Sequence, residues 1–432
     1  MCKIPQIAQC LQTVLTQTAD QAAHKTGFTQ RRSKLTGSAF VQSLVFGWLS
    51  DPDSSLERLS QLCTSLGVDI SAQGLDQRFS PQSAACVYQV LEACVRHLIR
   101  GDKTRLPLLR RFRAVYIQDS TTILLPDALH HLFDGGSQAA GVKLQVRIDY
   151  LSGLLEGPFI YPAKAHDCSS RVQALPVEKG ALRLADLGYF NLSDLRRIDD
   201  GGGFYLTRLH GQVKVLDGAG TPLDVLKFLK GQPHRQSQCN VLVGDQHRLP
   251  ARLIAVPVAS SVAAHRRFNL KERARKNKTQ LSKTRLSLCD WTLLITNAPS
   301  EMISLAEAQV LASVRWQIEL LFKLWKSQGR VDKSKSQKPW RVLTELYAKL
   351  IGIVIQHWVI LTALWKYPNR SMVKAAQTVR TFAVLVACAL PSLRQIAHAL
   401  RIIKRCLQRG CRINTRRKAP NTYQKLEALT FT

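Results

Sequence analysis

Three charged side chains lie at helical spacing within one strongly apolar stretch of the sequence. Glu319 follows Arg315 by four residues and precedes Lys326 by seven. Since an α-helix has about 3.6 residues per turn, these offsets predict that the three side chains share one helix face. A single carboxylate between two cations in such a helix points to metal-dependent phosphate chemistry. The structural alternative is an exposed ion pair between Arg315 and Glu319.

Two further carboxylates are predicted to lie at the ends of strands. Asp119 ends the strand predicted over residues 113–119, and Asp186 ends the one over 182–186. Open α/β sheets place their functional sites at such strand ends. Mg²⁺ prefers carboxylate oxygens, and two such ions about 4 Å apart activate the attacking oxygen and stabilise the leaving oxygen in phosphodiester displacement. Asp119, Asp186 and Glu319 are therefore candidate catalytic and metal-binding residues, provided that the fold brings them together.

The composition points to a polyanionic partner. The chain has 432 residues, of which 45% are hydrophobic, so it is a globular protein and not a disordered one. Its 61 Lys and Arg against 30 Asp and Glu give a net charge of +31. Such an excess repels itself in the folded state, and nucleic acid is the partner that best explains it. The alternative is a basic surface that serves assembly or an anionic membrane.

Cysteine usage and hydropathy predict a cytoplasmic protein that has no membrane association. The eleven cysteines are odd in number and form no CxxC pair, which favours reduced thiols in a cytosol. The N-terminus lacks the apolar core of a signal peptide. The longest apolar run, residues 350–365, contains Gln356 and His357 and predicts a buried helix that is too short to cross a bilayer.

Periodicity divides the chain into helical ends and a mixed middle. Residues 1–105 are predicted to be helical, and the segment 56–79 fits either a helix-turn-helix or a plain helical bundle. A capping box at Ser304 and Glu307 begins a long helix that includes Glu319. Further strands are predicted over 142–150, 154–161, 204–209, 213–216, 239–244, 252–258 and 291–296, and helices over 171–179 and 191–198.

Three blocks of the sequence resemble the DDE transposases of bacterial insertion sequences. Asp119 within residues 116–121 resembles the first acid of that family, and Asp186 within 185–190 the second. Arg315, Glu319 and Lys326 fit the spacing of the Tyr-Arg-Glu-Lys signature that distinguishes one subgroup. The tyrosine position of the signature is Ala312, so the sequence departs from the pattern there.

The resemblance implies an α/β fold with a ribonuclease-H-like catalytic core that a mainly β insertion interrupts, between helical N-terminal and C-terminal regions. The implied divisions are a DNA-binding region, the first part of the core, the insertion, the remainder of the core and a basic C-terminal region, over residues 1–105, 106–209, 210–300, 301–365 and 366–432.

By the same resemblance, the protein would cut DNA at the ends of its own element and join the 3′ ends to a target. Its cofactor would be Mg²⁺, with Mn²⁺ as a substitute. Its partner would be double-stranded DNA, namely the terminal inverted repeats and the target, bound by a homodimer. The alternatives are an inactive DNA-binding remnant, a related nuclease without strand transfer, and a basic assembly protein unrelated to DNA.

Several side chains receive DNA-binding roles from the resemblance. Arg315 and Lys326 would hold phosphates near the cut, and Ala312 puts a hairpin intermediate in question. Trp291 would hold an unstacked base, although a Trp that opens an apolar strand is also typical of a core. The other candidates would contact backbone phosphates, unless they form a solvated surface: Arg208 and, in the basic tract 265–285, Arg266, Arg267, Arg275 and Lys276.

Overall fold

A computed structural model of the protein describes residues 4–31, 34–136, 139–232, 236–367, 369–413 and 422–429. The described residues form two compact units. The first unit draws on Met1–Arg105, Asp119–Ala165 and Gln317–Ala419, and the second on Leu106–Gln118, His166–Trp316 and Pro420–Thr432. The mixture of helices and sheet confirms the predicted α/β class. The ribonuclease-H-like core and the five sequence divisions stay predictions.

Helices make up most of the first unit and also occur throughout the second. They are α1 (Ile4–Thr13), α2 (Ala19–Lys25), α3 (Gly37–Ser50), α4 (Leu56–Ser65), α5 (Ala72–Asp76), α6 (Pro81–Val95), α7 (Pro107–Arg110), α8 (Arg171–Ala174), α9 (Leu192–Asp200), α10 (Val225–Lys230), α11 (Ser260–Lys276), α12 (Lys283–Ser287), α13 (Leu305–Val314), α14 (Trp316–Ser327), α15 (Pro339–Leu361), α16 (Met372–Thr381), α17 (Ala383–Ala389), α18 (Leu393–Arg409) and α19 (Thr422–Ala428).

The strands lie close to their predicted positions. They are β1 (Val115–Leu125), β2 (Ala140–Asp149), β3 (Leu155–Pro162), β4 (Leu182–Ala185), β5 (Phe204–Arg208), β6 (Val215–Leu216), β7 (Ser237–Val243), β8 (Leu249–Pro257) and β9 (Trp291–Thr296). Alternating apolar residues and flanking turn residues were the basis of these predictions. Apart from the end of β1, the structure confirms them within a few residues at each end.

The first unit is built around α15. Each residue of this helix from Val342 to Leu361 is buried, and α3 and α6 pack against it. Next to this bundle, β2 lies between β1 and β3, and β2 and β3 pair antiparallel. The turn that joins them requires Gly153, because its φ is +73° and a Cβ there would lie 2.4 Å from Leu361 Cδ2.

The second unit contains a mixed sheet in the strand order β1-β4-β5-β9-β8-β7-β6. The first residues of β1 pair parallel with β4, and β4 pairs parallel with β5. The remaining pairs are antiparallel. Leu195 and Ile198 of α9 join Tyr205, Leu253 and Ile295 of the sheet in one buried core. The short strands and helix α9 thus bury their apolar faces against each other in this unit.

Two predicted element ends are wrong. Strand β1 continues to Leu125, so Asp119 lies inside the strand and not at its end. The reason is that the residues after Asp119 include β-branched side chains, which favour strands. Helix α8 ends at Ala174 and does not reach residue 179. Pro176 explains this, because proline removes a backbone donor and disfavours helical geometry in the residue before it.

The long helix predicted from Ser304 onward is two helices. Its capping box is confirmed, since Ser304 and Glu307 each accept a hydrogen bond from the backbone N–H of the other. However, α13 ends at Val314 and α14 begins at Trp316. Arg315 joins them with φ −48° and ψ −35°. Glu319 and Lys326 therefore share α14, whereas Arg315 precedes that helix.

The N-terminal helices favour a bundle over a helix-turn-helix. Helix α5 has five residues, which is short for a helix that reads a DNA groove. Helix α3 is almost entirely buried and packs against α4, where Gly47 admits the Leu59 side chain. A helix at the centre of a bundle is buried on several sides, as α3 is.

The apolar segment near residue 350 is a core helix, as predicted, but it is longer than predicted. Helix α15 has 23 residues and is long and apolar enough to cross a membrane by length and composition. The pair of α16 and α17 passes the same test together, with a bend of 49° between them. The apolar window of α15 is 100% buried inside the protein. Every described cysteine is a free thiol.

A buried histidine makes the stability of the first unit depend on pH. Burial lowers the pKa of His357 from 6.5 to about 4, although its 2.7 Å hydrogen bond to the Gly153 carbonyl acts in the opposite direction. The unfolded chain therefore binds this proton at a higher pH than the folded chain does. We expect the contribution of His357 to the free energy of unfolding to be constant above pH 6.5. As the pH decreases toward 4, the free energy of unfolding should fall by up to about 3 kcal/mol.

Urea unfolding at a series of pH values measures this effect, with His357→Gln as the comparison. A glutamine amide can still donate to the Gly153 carbonyl but does not titrate in this range. The variant should therefore have a smaller pH dependence than the parent protein. An equally steep loss of stability in the variant would show that other groups cause it.

Candidate active site

An open pocket in the first unit contains two of the three predicted acids. Asp119 of β1 and Glu319 of α14 line it, and its volume is about 590 Å³. The remaining lining residues are Ser120, Thr121, Phe322, Lys323, Lys326 and Ser327. The pocket therefore combines two carboxylates with two ammonium groups and three hydroxyls. This set suits a cation and a phosphate together, because carboxylates bind hard cations and ammonium groups bind phosphate oxygens.

Hydrogen bonds fix both sides of this pocket. The backbone N–H of Ser120 donates to Asp119 Oδ1 at 2.8 Å, which orients the carboxylate. Lys326 Nζ donates to the carbonyl oxygen of Thr122 at 3.2 Å and so connects α14 with β1. Both Asp119 and Glu319 are half-buried, so solvent and a ligand can reach their oxygens. The pocket is thus held by backbone as well as by side chains.

The sequence of α14 places its charged residues on the side that faces this pocket. Ile318, Leu321, Leu324 and Trp325 are buried. Glu319, Lys323 and Lys326 follow one another at intervals of four and three, which keeps them on one face. These buried residues anchor the helix, so the three charged side chains are presented from a packed element.

The third predicted acid, Asp186, lies in the second unit. It is half-buried and precedes the 3₁₀ turn Leu187–Tyr189, but its side chain makes no capping hydrogen bond to that turn. Two buried side chains hold the turn instead. Arg183 and Gln173 donate to the Tyr189 carbonyl at 2.9 and 3.2 Å. The turn that positions Asp186 is therefore fixed without using its carboxylate.

The paired parts of β1 and β4 each end one residue before a predicted acid. Gln118 and Ala185 are the last paired residues of the parallel strands β1 and β4. Asp119 directly follows Gln118 in the sequence, and Asp186 directly follows Ala185. Within the described residues, no group of three or more His, Cys, Asp or Glu side chains is arranged to hold a metal ion. The gathering of all three acids thus stays a prediction.

Two predicted DNA contacts lie together at the start of β9. Arg266 donates to the Trp291 carbonyl oxygen and to Thr292 Oγ1, both at 2.9 Å, and so ties α11 to β9. Burial lowers the pKa of the Arg266 guanidinium, and the nearby charge of Arg208 lowers it further. Trp291 is half-buried and Arg208 is exposed. Arg266 therefore positions the strand that carries Trp291, a role that its sequence did not indicate.

The basic tract is helical and its cations have different environments. Arg267 forms an ion pair with Asp290, which adds a second connection between α11 and the segment before β9. Arg275 pairs with Glu272 at 2.9 Å on an exposed surface. Lys276 is exposed at the end of the helix. The end of α11 near Lys276 is thus more accessible to a phosphate than the part near Arg266.

Residues 110–355 match the sequence model of the transposase DDE domain family, which is more than half of the chain. The chain belongs to this family of transposases. A transposase for insertion sequence element IS231F from Bacillus thuringiensis subsp. israelensis is 28% identical over 368 residues, 78% of this chain and 76% of the relative.

Other relatives of this transposase come from further bacteria. A transposase for IS1151 from Clostridium perfringens is 25% identical over 378 residues, 80% of this chain and 78% of the relative. A putative transposase InsL for IS186A from Escherichia coli strain K12 is 28% identical over 201 residues, 44% of this chain and 54% of the relative. The predicted membership in the insertion-sequence transposases is confirmed.

Sequence reasoning missed pocket residues of this transposase. Lys323 lines the pocket beside Glu319, and Ser120, Thr121 and Ser327 contribute polar groups. The offset of four between Glu319 and Lys323 could have identified the lysine, since it is the helical spacing used for Arg315. The hydroxyl residues carry no such signal, because only the pairing of β1 and the packing of α14 bring them to the pocket.

Proposed function

We propose that this transposase cleaves DNA at the ends of its insertion sequence and joins the 3′ ends to target DNA. The observation that carries the proposal is the pocket in which Asp119 and Glu319 lie with Lys323 and Lys326. Family membership indicates the class of reaction, and the pocket contains the kinds of side chain that this reaction requires. A phosphodiester exchange requires charge neutralisation at the phosphate and at both reacting oxygens.

The carboxylates of the pocket suit divalent cations. Two carboxylates that face one open cavity are a ligand set of the kind that Mg²⁺ or Mn²⁺ accepts, with water and substrate phosphate completing the shell. When bound, such ions would activate the attacking oxygen and stabilise the leaving one. We assign Asp119, Glu319 and Asp186 as the ligands, the last because residues 185–190 resemble the block that carries the second acid of the family.

The cations of α14 would act on the phosphate itself. Lys326 is held by the Thr122 carbonyl and lines the pocket with Glu319, so it can contact an oxygen of the phosphate being cut. Lys323 is exposed and can neutralise the adjacent phosphate. Arg315, which precedes α14, would complete the Arg, Glu and Lys positions of the signature, and Ala312 occupies its tyrosine position. Charge-assisted hydrogen bonds of this kind favour the transition state.

The remaining proposed contacts shape the DNA. Trp291 would hold a base out of the stack, and Arg208 would contact a backbone phosphate beside it. Support comes from the position of Arg266, which fixes the backbone of β9 at Trp291 through two hydrogen bonds. A stacking platform has to be rigid to hold a flipped base. We further propose that a homodimer brings the two terminal inverted repeats together, and that the protein acts in the cytoplasm.

A reconstituted reaction tests the proposed function. The full chain is incubated with Mg²⁺, a labelled duplex that carries the inverted repeats flanking its gene, and a supercoiled plasmid as target. We expect 3′-end cleavage followed by label joined covalently to the plasmid, because DNA acts first as substrate and then supplies the attacking 3′ oxygen. Cleavage without joined product would mean that the protein is a nuclease. Binding without either product would contradict the proposal.

A further inference from the structure

Helix α18 carries a line of arginines along its outer surface. Arg394, Arg401, Arg405 and Arg409 are all exposed. Their offsets of seven, four and four keep them within about a quarter of the helix circumference, and the line is about 22 Å long. We call these four residues the arginine ridge. Arg412, which follows the helix, is also exposed.

The opposite face of α18 is packed inside the protein. Ile396, Leu400, Ile403 and Leu407 are buried, and α1, α15, α16 and α17 pack against the helix. An amphipathic basic helix can also bind an anionic membrane, but it does so by inserting its apolar face. In α18 that face is already used for folding. The arginine ridge is therefore suited to a polyanion and not to a lipid surface.

The segment of sequence that contains the ridge has no acidic residue. The sequence contains no Asp or Glu between Glu345 and Glu427, although this segment is rich in Lys and Arg. Within the part of the chain that the structure describes, no carboxylate forms an ion pair with a residue of the ridge. Such a concentration of one charge destabilises the folded state unless an anionic partner offsets it.

Neighbouring cations have structural contacts that the ridge does not make with any other described residue. Arg370 donates to the Gly410 carbonyl at 2.8 Å, and Lys374 donates to the Arg412 carbonyl at 2.9 Å. These two side chains fix the segment that follows α18. Among the described residues, the arginines of the ridge form no hydrogen bond or ion pair that would hold the fold, so folding does not explain why four exposed positions carry the same residue.

We propose that the arginine ridge of α18 binds the sugar-phosphate backbone of duplex DNA without reading its sequence. This inference rests on the proposed action on DNA and adds a second contact surface, separate from the acids of the pocket. Arginine suits the role because its guanidinium forms paired hydrogen bonds with phosphate oxygens. The ridge contains no aromatic residue that could stack on a base, which favours backbone contact over base recognition.

The salt dependence of DNA binding tests this inference. The triple variant Arg401→Gln, Arg405→Gln, Arg409→Gln is compared with the parent by fluorescence anisotropy, in EDTA, on one duplex with the element end and on one shuffled duplex. We expect the slope of log affinity against log salt to become shallower by about two to three, because each lost phosphate contact removes about 0.9. Affinity for both duplexes should fall by about tenfold to a hundredfold.

A matched variant controls for net charge. Lys25, Arg100 and Lys103 are exposed cations elsewhere in the first unit, and their replacement by Gln removes the same charge. This variant should keep most of the parent slope.

An equal loss of slope in both variants, or a loss confined to the element-end duplex, would overturn the inference. So would an unchanged slope accompanied by loss of a dimer in sedimentation, which would assign the ridge to a protein interface. Because the binding assay contains no divalent cation, its result does not depend on catalysis. Absence of cleavage by the parent in the separate reaction with Mg²⁺ would contradict the proposed function and leave this inference intact.

Discussion

Replacing Glu319 with Gln, or Asp119 with Asn, is expected to reduce DNA cleavage about a thousandfold or more and to leave DNA affinity nearly unchanged. Each substitution keeps the shape of the side chain but removes the negative charge that a divalent cation needs. Loss of a cation that stabilises the reacting oxygens costs several kcal/mol of transition-state energy, and about 1.4 kcal/mol corresponds to a factor of ten. Cleavage of an end-bearing duplex with Mg²⁺ and anisotropy on the same duplex measure the two effects.

Exposed acids of the first unit provide the controls. Glu57→Gln in α4 and Asp69→Asn before α5 remove the same charge away from the pocket. Both control proteins should cleave DNA at rates close to that of the parent. If a pocket variant still nicked the duplex at more than about a tenth of the parent rate, its residue would not be a metal ligand, since ligand loss has a larger effect.

Replacing Asp186 with Asn is expected to abolish cleavage to a similar extent without a measurable loss of stability. The reason is specific to its position. Arg183 and Gln173 hold the turn after β4, and the Asp186 side chain makes no capping hydrogen bond to it. A carboxylate that only supported the turn would cost about 1 kcal/mol on replacement. Urea unfolding and the cleavage assay separate a role in chemistry from a role in folding.

A second readout for Asp186 does not depend on catalysis. A cation that binds only the folded protein raises its apparent stability, so Mn²⁺ should increase the melting temperature of the parent more than that of Asp186→Asn. Asp200→Asn, an exposed acid at the end of α9, serves as the control and should retain the full Mn²⁺ effect. Equal stabilisation of the Asp186 variant and the parent would remove this residue from the proposed ligand set.

Local patterns of the sequence determined much of this protein. Alternation predicted β2, β3, β7, β8 and β9, and the capping box predicted the start of α13. Helical spacing related Glu319 to Lys326, and the two are indeed in one helix and one pocket. Such features depend on residues a few positions apart, whose geometry the helix and strand repeats set directly. The acid blocks, with the charge excess, were also enough to recognise the transposase family.

Which side chains far apart in the sequence contact one another is determined only by the tertiary structure. Pairing continues β1 past Asp119, and packing of α14 brings Lys323 and the hydroxyl residues to the same pocket. Arg266 was predicted as a phosphate contact, yet its guanidinium binds the backbone at Trp291. The exposed arginines of α18 form one ridge because the opposite face of the helix is buried, and only the tertiary structure shows that burial. The free energy that selects these arrangements comes from contacts between residues far apart in the chain, which local spacing does not encode.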